Sequence, residues 1–355
     1  MRGSLRVFFS VFVFLVFGVR PAHGRENQLV QPWPYYVCSG ANGYNQTMCL
    51  TDGYGTIFYN SIEYRSLGDR IPVILIHGLN PKDIAGAPDQ TVWQGLFNRL
   101  YSSRWFHERF KIYFVLYISN VQDLRGMGLT LGSLISRMGQ ADPEFKGKPL
   151  IFIGHSMGGL IVRSYMQESR LGPGSLPGER VSRLITLGTP HHGSPFANGP
   201  ARDEKAGGWA ASKLHEFVDG GLFGVHIRWH MENRFDLHWD NYDGLFDYEK
   251  NFENNLWLER LNSKEPFRKK IIAYGGKVTR FGQIWDCVSG EGWICFAALM
   301  NLALGISESD GIVPLKSALF DPCPDCFAVR TYDGYDHGEI VRGKPRGFGQ
   351  SEPLF

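Results

Sequence analysis

The amino-acid sequence predicts an α/β fold in which a mostly parallel central sheet is flanked by helices and carries a cap or lid insertion. Three observations predict it. Short apolar runs alternate with segments of helical periodicity, as in parallel βαβ units. One run, at 150–153, continues directly into Gly-His-Ser-Met-Gly and then into a helical pattern. An aromatic-rich stretch at 201–268 interrupts the alternation, and we interpret it as the insertion.

The elements follow in chain order from the spacing of apolar residues. Unbroken apolar runs predict buried strands, and apolar residues three or four apart predict helices. Strands are predicted at 71–76, 111–118, 150–153, 181–187, 270–274 and 327–332, and helices at 92–100, 129–138 and 158–167. Residues 25–70 are predicted to be a loop-rich N-terminal segment, and residues 71–355 to be the catalytic domain that contains the insertion.

The first 24 residues have the composition of a secretory signal peptide. Arg2 and Arg6 precede an apolar run over 7–19, and Ala22-His23-Gly24 has the small-x-small pattern of a cleavage site. The run is shorter than the roughly 20 residues that a transmembrane helix needs. We therefore expect a secreted or periplasmic protein whose mature chain has no transmembrane segment.

Charge and cysteine content fit an exported protein that does not bind nucleic acid. The formal charge is only +2, and three of the arginines lie in the leader. We therefore expect no basic patch that would bind nucleic acid. An even number of closely spaced cysteines favours structural disulfides in an exported chain, although several pairings are open. The close pairs are Cys38 with Cys49, Cys287 with Cys295, and Cys323 with Cys326.

Ser156 is the predicted nucleophile. A strand that runs through Gly-x-Ser-x-Gly into a helix makes a sharp turn that lifts the serine hydroxyl above the sheet. Gly154 and Gly158 are expected there because side chains at these positions would collide with the neighbouring strand and helix.

Two backbone N–H groups are predicted to form an oxyanion hole. Met157 begins the helix after the serine, so its N–H would face the reacting carbonyl oxygen. A second donor usually comes from the loop after an earlier strand, which makes the N–H of Leu79 the candidate. We expect the His77 side chain to be buried and to shape this loop rather than to act as a base.

The predicted general base is His337. In this architecture the triad follows the chain order serine, acid, histidine, each beyond the end of a strand. Only His337 follows the last predicted strand. His155 lies within the turn and is expected to point away from Ser156, and His191 and His192 come too early in the chain.

The acid lies between serine and histidine in the sequence. Asp310 stands in a polar turn before a glycine and a helical pattern. An ordinary turn aspartate is the alternative reading of this position. Position alone also admits other acids: Asp286, Glu308, Asp321 and Asp333. Asp336 is adjacent to His337, from where its carboxylate would reach the ring Nδ1 only with difficulty.

No cofactor is expected, and no metal site is assigned. The insertion contains His226 and His230, four residues apart, with Asp236, His238 and Asp240 close behind. Such a spacing is compatible with zinc. We favour a polar cluster satisfied by hydrogen bonds.

Five sequence blocks resemble those of the α/β-hydrolases, and specifically of secreted triacylglycerol lipases of bacterial type. The blocks are VILIHGLN, GHSMGGLIVR, LITLGTPHHGSP, NLWLERLNS and SDGIVPLKSA. The resemblance extends from about Ile71 to His337. GPI inositol deacylases share two of the blocks. Asn80 and Pro81 depart from the pattern, since many lipases have a further glycine there.

The resemblance implies an α/β-hydrolase fold and adds roles for particular residues. It favours Asp310 as the acid, and Leu79 and Met157 as oxyanion donors. It also implies a lid at 201–268 that would bind a lipid–water interface, with a packed helical subdomain as the alternative.

The expected activity is hydrolysis of a lipid ester, with triacylglycerol as the substrate that the resemblance implies. The alternatives are a short-chain carboxylesterase, an acyltransferase that uses the same acyl-enzyme, and a catalytically silent lipid-binding protein.

Overall fold

A computed structural model describes residues 49–51, 57–60, 66–79, 91–117, 119, 123–168, 174–197, 236–239, 255–278, 297, 301 and 305–342. The predicted signal peptide at 1–24 and most of the insertion at 201–268 lie outside the described residues. So do Cys38, Cys287, Cys295 and Asp286.

In the described residues, eight strands form one sheet. They are β1 (Cys49–Thr51), β2 (Ile57–Asn60), β3 (Ile71–Ile76), β4 (Phe110–Tyr117), β5 (Leu150–His155), β6 (Val181–Leu187), β7 (Ile271–Lys277) and β8 (Ala328–Asp333). Their order across the sheet is β1-β2-β4-β3-β5-β6-β7-β8. The strands from β3 onward pair in parallel, whereas β1 and β2 add to one edge in antiparallel pairing. The predicted parallel sheet is confirmed.

Helices cover both faces of this sheet. They are α1 (Gln94–Tyr101), α2 (Arg104–Arg109), α3 (Leu124–Ala141), α4 (Met157–Glu168), α5 (Leu256–Ser263), α6 (Leu315–Ala318) and α7 (Glu339–Arg342). None of the helices in the described residues is long and apolar enough to cross a membrane.

The central strands are apolar on both faces because each face is covered by a separate core. On β3, Ile74 and Ile76 belong to a core shared with α3, α4 and α5. Val73 and Leu75, which alternate with them, belong to a second core shared with α1, α2 and α7. This alternation follows the two-residue period of a strand. It explains why 71–76 is an unbroken apolar run in the sequence.

The N-terminal segment differs from the expectation in one respect. Residues 25–70 were predicted to be loop-rich, yet β1 and β2 lie within them and extend the sheet past β4. These strands have three and four residues, too few to show a clear alternation of apolar and polar residues. The sheet therefore begins before residue 71.

Candidate active site

Ser156 occupies the tight turn between β5 and α4. β5 ends at His155, α4 begins at Met157, and Ser156 between them has a backbone φ of 54°. A residue with a Cβ in this left-handed region costs about 1–2 kcal/mol, so the surrounding structure has to impose the conformation. Strain of this kind is concentrated at functional sites. The predicted strand–turn–helix context is confirmed.

The two glycines that flank Ser156 allow the turn to close. A Cβ on Gly154 would lie 2.6 Å from the Cα of Gly159 in the helix. A Cβ on Gly158 would lie 2.5 Å from the carbonyl oxygen of Ile76 at the end of β3. Both distances are shorter than atoms tolerate, as expected from the sequence.

Asp310 and His337 form a buried hydrogen-bonded pair. The Nδ1 of His337 lies 2.7 Å from Oδ2 of Asp310, whose side chain is completely buried. The other carboxylate oxygen of Asp310 accepts from the N–H groups of Ile312 and Val313, at 2.9 and 2.7 Å. The N–H of His337 also donates to the carbonyl oxygen of Asp310, at 2.8 Å. Because Nδ1 of the His337 ring faces the carboxylate, Nε2 lies on the side of the ring that points away from Asp310.

The end of β6 brings Ser156 and this pair to one place. The N–H of Ser156 donates to the carbonyl oxygen of Leu187, at 2.9 Å. The next residue, Gly188, has a φ of 57°, and a Cβ on it would lie 3.0 Å from Oδ2 of Asp310 and 3.1 Å from Nδ1 of His337. Ser156 and the Asp310–His337 pair therefore lie beside two consecutive residues, Leu187 and Gly188, at the carboxyl end of β6.

Two of the competing acids, Asp336 and Glu308, have other partners. Asp336 and Glu339 form a capping box at the start of α7, in which Oδ1 of Asp336 accepts from the N–H of Glu339 at 2.7 Å. The N–H of Asp336 in turn donates to Oε2 of Glu339, at 3.0 Å. Burial raises the pKa of Asp336. Glu308 pairs with Lys277 near the surface.

The loop after β3 lies directly against the serine. A Cβ on Gly78 would lie 2.5 Å from the Cβ of Ser156, so only glycine fits at this position. His77 is buried, stacks on Tyr117 with ring centroids 4.2 Å apart, and has its carbonyl oxygen bound by the Tyr117 hydroxyl. As expected, His77 shapes the loop. The loop continues to the half-buried Leu79.

Met157 is the first residue of α4, and its side chain is completely buried. The first N–H groups of a helix have no intrahelical acceptor, and the helix dipole favours negative charge near them. An oxyanion next to Ser156 would therefore meet a suitable donor here.

A buried polar network that the sequence did not reveal supports the loop after β6. Arg163 of α4 pairs with Glu265 at 2.9 Å, and both side chains are completely buried. Arg163 also donates to Nδ1 of His191, at 3.0 Å, and covers the ring of Phe320 at 4.2 Å from its centroid. The single arginine in the apolar helix pattern GGLIVRSYM was the available signal.

His191 and His192 are held in their neutral forms by this network. Arg163 can only donate, so Nδ1 of His191 carries no proton. The side-chain amide of Asn262 donates in the same way to Nδ1 of His192, at 3.2 Å. Burial, reinforced by Arg163, lowers the pKa of His191 well below its usual value and that of His192 to about 4.

We expect the protein to lose stability in mild acid because of these histidines. An unfolded histidine titrates near pH 6.5, whereas folded His192 titrates near 4, so between these values the unfolded state binds more protons. The free energy of unfolding should therefore fall as the pH is lowered from 6.5 to 4, by about 3 kcal/mol for His192 alone. Urea unfolding at pH 7 and pH 5 measures the change. His192→Gln, whose amide has no proton to gain, should show a smaller change, and equal changes would contradict the assignment.

Replacing Asp310 by Asn should show whether Asp310, rather than another candidate acid, orients the His337 ring. An amide can present its N–H₂ to the ring and stabilise the wrong histidine tautomer, so we expect kcat to fall by about 10⁴-fold. Asp336→Asn is the matched control. Because Asp336 does not accept from the His337 ring in the described contacts, its loss should stay below about 10-fold. Steady-state hydrolysis of a p-nitrophenyl ester measures both, and equal losses would contradict the assignment.

Two of the residues considered for zinc lie among the described ones, and both contact protein groups. Oδ2 of Asp236 accepts from the N–H of Leu124, at 2.7 Å, and His238 accepts through its carbonyl oxygen from Asn255, at 3.1 Å. In the described parts of the chain, no three potential metal ligands lie together. His226, His230 and Asp240 lie outside the described residues.

One of the three cysteine pairs can be located. The sulfur atoms of Cys323 and Cys326 lie within bonding distance, with their Cα atoms 5.4 Å apart. A disulfide here stays a prediction, as do the other two pairs.

Comparison with known families gives one local match. The model of the PGAP1-like alpha/beta domain matches residues 112–202, which contain β5, Ser156, α4 and β6. No curated protein matches the chain significantly.

Solved structures match over a larger part of the chain. Lipase BlEst2 of Bacillus licheniformis in its mature form is 18% identical, with 81% of this chain and 93% of that one covered and a TM-score of 0.51. Its propeptide form is 19% identical, with 80% and 50% covered and a TM-score of 0.50. Phospholipase PlaB of Legionella pneumophila is 18% identical, with 70% and 45% covered and a TM-score of 0.42. The chain has the α/β-hydrolase fold, and lipases are among its structural neighbours.

Proposed function

We propose that this protein is a serine hydrolase that cleaves carboxylic esters of lipids. Two neighbouring contacts at the end of β6 carry the proposal. Leu187 accepts from the N–H of Ser156, which has a φ of 54°, and Gly188 lies beside the buried Asp310–His337 pair. A strained serine at a strand–helix turn and an acid-oriented imidazole are the parts that acyl transfer requires.

In the proposed mechanism, Ser156 Oγ attacks the ester carbonyl carbon while Nε2 of His337 takes the hydroxyl proton. The N–H groups of Leu79 and Met157 stabilise the resulting oxyanion. Collapse of the tetrahedral intermediate breaks the bond to the alcohol, which leaves with the proton from His337. Water then attacks the acyl-enzyme with His337 as base, which releases the acid and restores Ser156.

Asp310 holds the imidazole in the required tautomer during both steps. Its Oδ2 accepts from Nδ1–H, so Nε2 has a lone pair for the serine proton. The two backbone N–H groups that donate to Oδ1 fix the orientation of the carboxylate. The positive charge that forms on His337 is therefore compensated at once.

Triacylglycerol is the substrate that we propose. The five lipase-like sequence blocks and the likeness to a structure named as a lipase support this choice. An exported location and a lid at 201–268 that binds a lipid–water interface belong to the same proposal. They rest on the leader-like residues 1–24 and on the aromatic content of the insertion.

Hydrolysis of p-nitrophenyl esters of increasing acyl length, with emulsified triolein in parallel, tests the proposal. A lipase should prefer long chains and release acid from triolein, and Ser156→Ala should abolish both. Activity on short chains alone would make the protein an esterase. No turnover, together with no labelling of Ser156 by a fluorophosphonate, would contradict the proposal and favour a silent lipid-binding protein.

A further inference from the structure

His155 lies next to Ser156 but points toward the opposite side of the sheet from α4. It is the last residue of β5, two residues after Ile153, so the two side chains lie on the same face. That face carries the second core, which includes Ile153, Trp93 and Ile340 of α7. The sequence placed His155 away from the serine, but it did not reveal what the side chain meets there.

The ring of His155 contacts His337. Its Nε2 lies 2.9 Å from the carbonyl oxygen of His337, and the two rings are 4.8 Å apart at 43°. Trp93 contacts the His155 ring edge-on, with centroids 6.4 Å apart. Since a carbonyl oxygen can only accept, Nε2 of His155 is the donor and carries the proton. The side chain is buried, so this bond is not exchanged for one to bulk water.

We propose that His155 is a positioning residue for His337 in the proposed reaction. The inference rests on the proposed function, because it assigns His155 a role only if His337 is the base. Of the bonds described above for His337, two lead to Asp310: one from its backbone N–H and one from its ring. The bond from His155 instead ties the His337 backbone to the strand that ends at the nucleophile.

This connection matters because proton transfer depends on distance. A general base has to lie within hydrogen-bond reach of the hydroxyl, at about 2.6–3.2 Å. A displacement of about 1 Å can cost 100-fold in rate. β5 lies in the middle of the sheet, whereas the loop that carries His337 follows the edge strand β8. His155 therefore couples the position of the base to that of Ser156 through one side chain.

A matched pair of variants tests the hydrogen bond separately from packing. Gln and Met are unbranched side chains of similar length, but only Gln offers an N–H at the reach of the histidine Nε2. We expect His155→Met to lower kcat by about 10-fold or more with KM changed less than about 2-fold, because a displaced base impairs the chemical step. His155→Gln should keep kcat within about 3-fold of wild type.

Two further readouts would not respond to a merely structural role. The downfield NMR resonance of the His337 Nδ1 proton should broaden or shift in His155→Met and be retained in His155→Gln. The rate at which a fluorophosphonate labels Ser156 should follow kcat across the three proteins.

Thermal unfolding shows whether each variant is folded at the assay temperature. If His155→Met is not folded there, His155→Phe, which keeps a ring against Trp93 without a donor, takes its place.

Equal kcat values in the Gln variant and the donor-free variant would overturn the inference, whether both are active or both impaired. A failure of the proposed function would be distinguishable from a failure of the inference about His155. In that case wild type itself would show no turnover that depends on Ser156, whatever happens at residue 155.

Discussion

Ser156→Ala is expected to lower kcat for a p-nitrophenyl ester by at least about 10³-fold, because no other group can form the acyl-enzyme. The variant should stay folded, since the change removes one hydroxyl from a residue that is 9% exposed. Steady-state rates measure the loss, and circular dichroism with thermal unfolding verifies the fold. A folded variant with wild-type turnover would remove Ser156 from the mechanism.

Ser156→Gly is the companion variant. It should be equally inactive, but more stable than Ser156→Ala. At a φ of 54° glycine avoids about 1–2 kcal/mol of strain, and its larger freedom in the unfolded chain returns about 0.4–1 kcal/mol of this. Urea unfolding of the two inactive variants measures the difference. A less stable glycine variant would show that the turn imposes no strain on Ser156.

Breaking the Arg163–Glu265 pair should have the largest effect on stability. Glu265→Leu leaves the completely buried guanidinium of Arg163 without its carboxylate, and removing one partner of such a pair costs about 3–5 kcal/mol. It also removes the acceptor of the Phe267 N–H, at 3.0 Å. We expect a lower urea midpoint with an unchanged dependence on urea concentration.

The double variant Arg163→Met/Glu265→Leu provides the control. Once both charges are gone, neither member of this pair remains buried without its partner, so the double variant should be more stable than Glu265→Leu alone. Arg163→Met completes the comparison: if its effect and that of Glu265→Leu simply add in the double variant, the pair is not coupled and the interpretation is wrong.

The central strands of the sheet can be predicted from the sequence because they are buried on both faces. A strand covered by helices on each side is apolar at nearly every position, and 71–76 meets this condition closely enough to be recognised. β1 and β2 are short and lie at the edge, so their residues carry no such pattern. α3 begins at Leu124, before the predicted Leu129, because Gly126 and Gly128 weaken the helical pattern of its first turns.

The candidate site is predictable where chain order constrains it. His337 follows from the order of strands and loops and Ser156 from the Gly-x-Ser-x-Gly turn, whereas Asp310 is favoured over other acids only by the family resemblance; the structure brings Asp310 and His337 into direct contact. The contact between His155 and His337 joins residues 182 apart, and the bond between Arg163 and Glu265 joins residues 102 apart. No local pattern encodes such tertiary contacts. The capping box of Asp336 and Glu339 is a local D-x-x-E pattern that can be recognised in the sequence.

The position of β8 has a consequence for how activity is lost. Among the described strands it is the last in the sheet, and none of its residues is fully buried. Elements with little buried surface open locally at a lower free energy than the core does. The loop that carries His337 follows β8, whereas Ser156 is anchored in the centre of the sheet. Gentle heating should therefore open β8 while the core remains in place, and activity should last only as long as the buried contacts of His337 with Asp310 and His155 keep the base from moving with that strand.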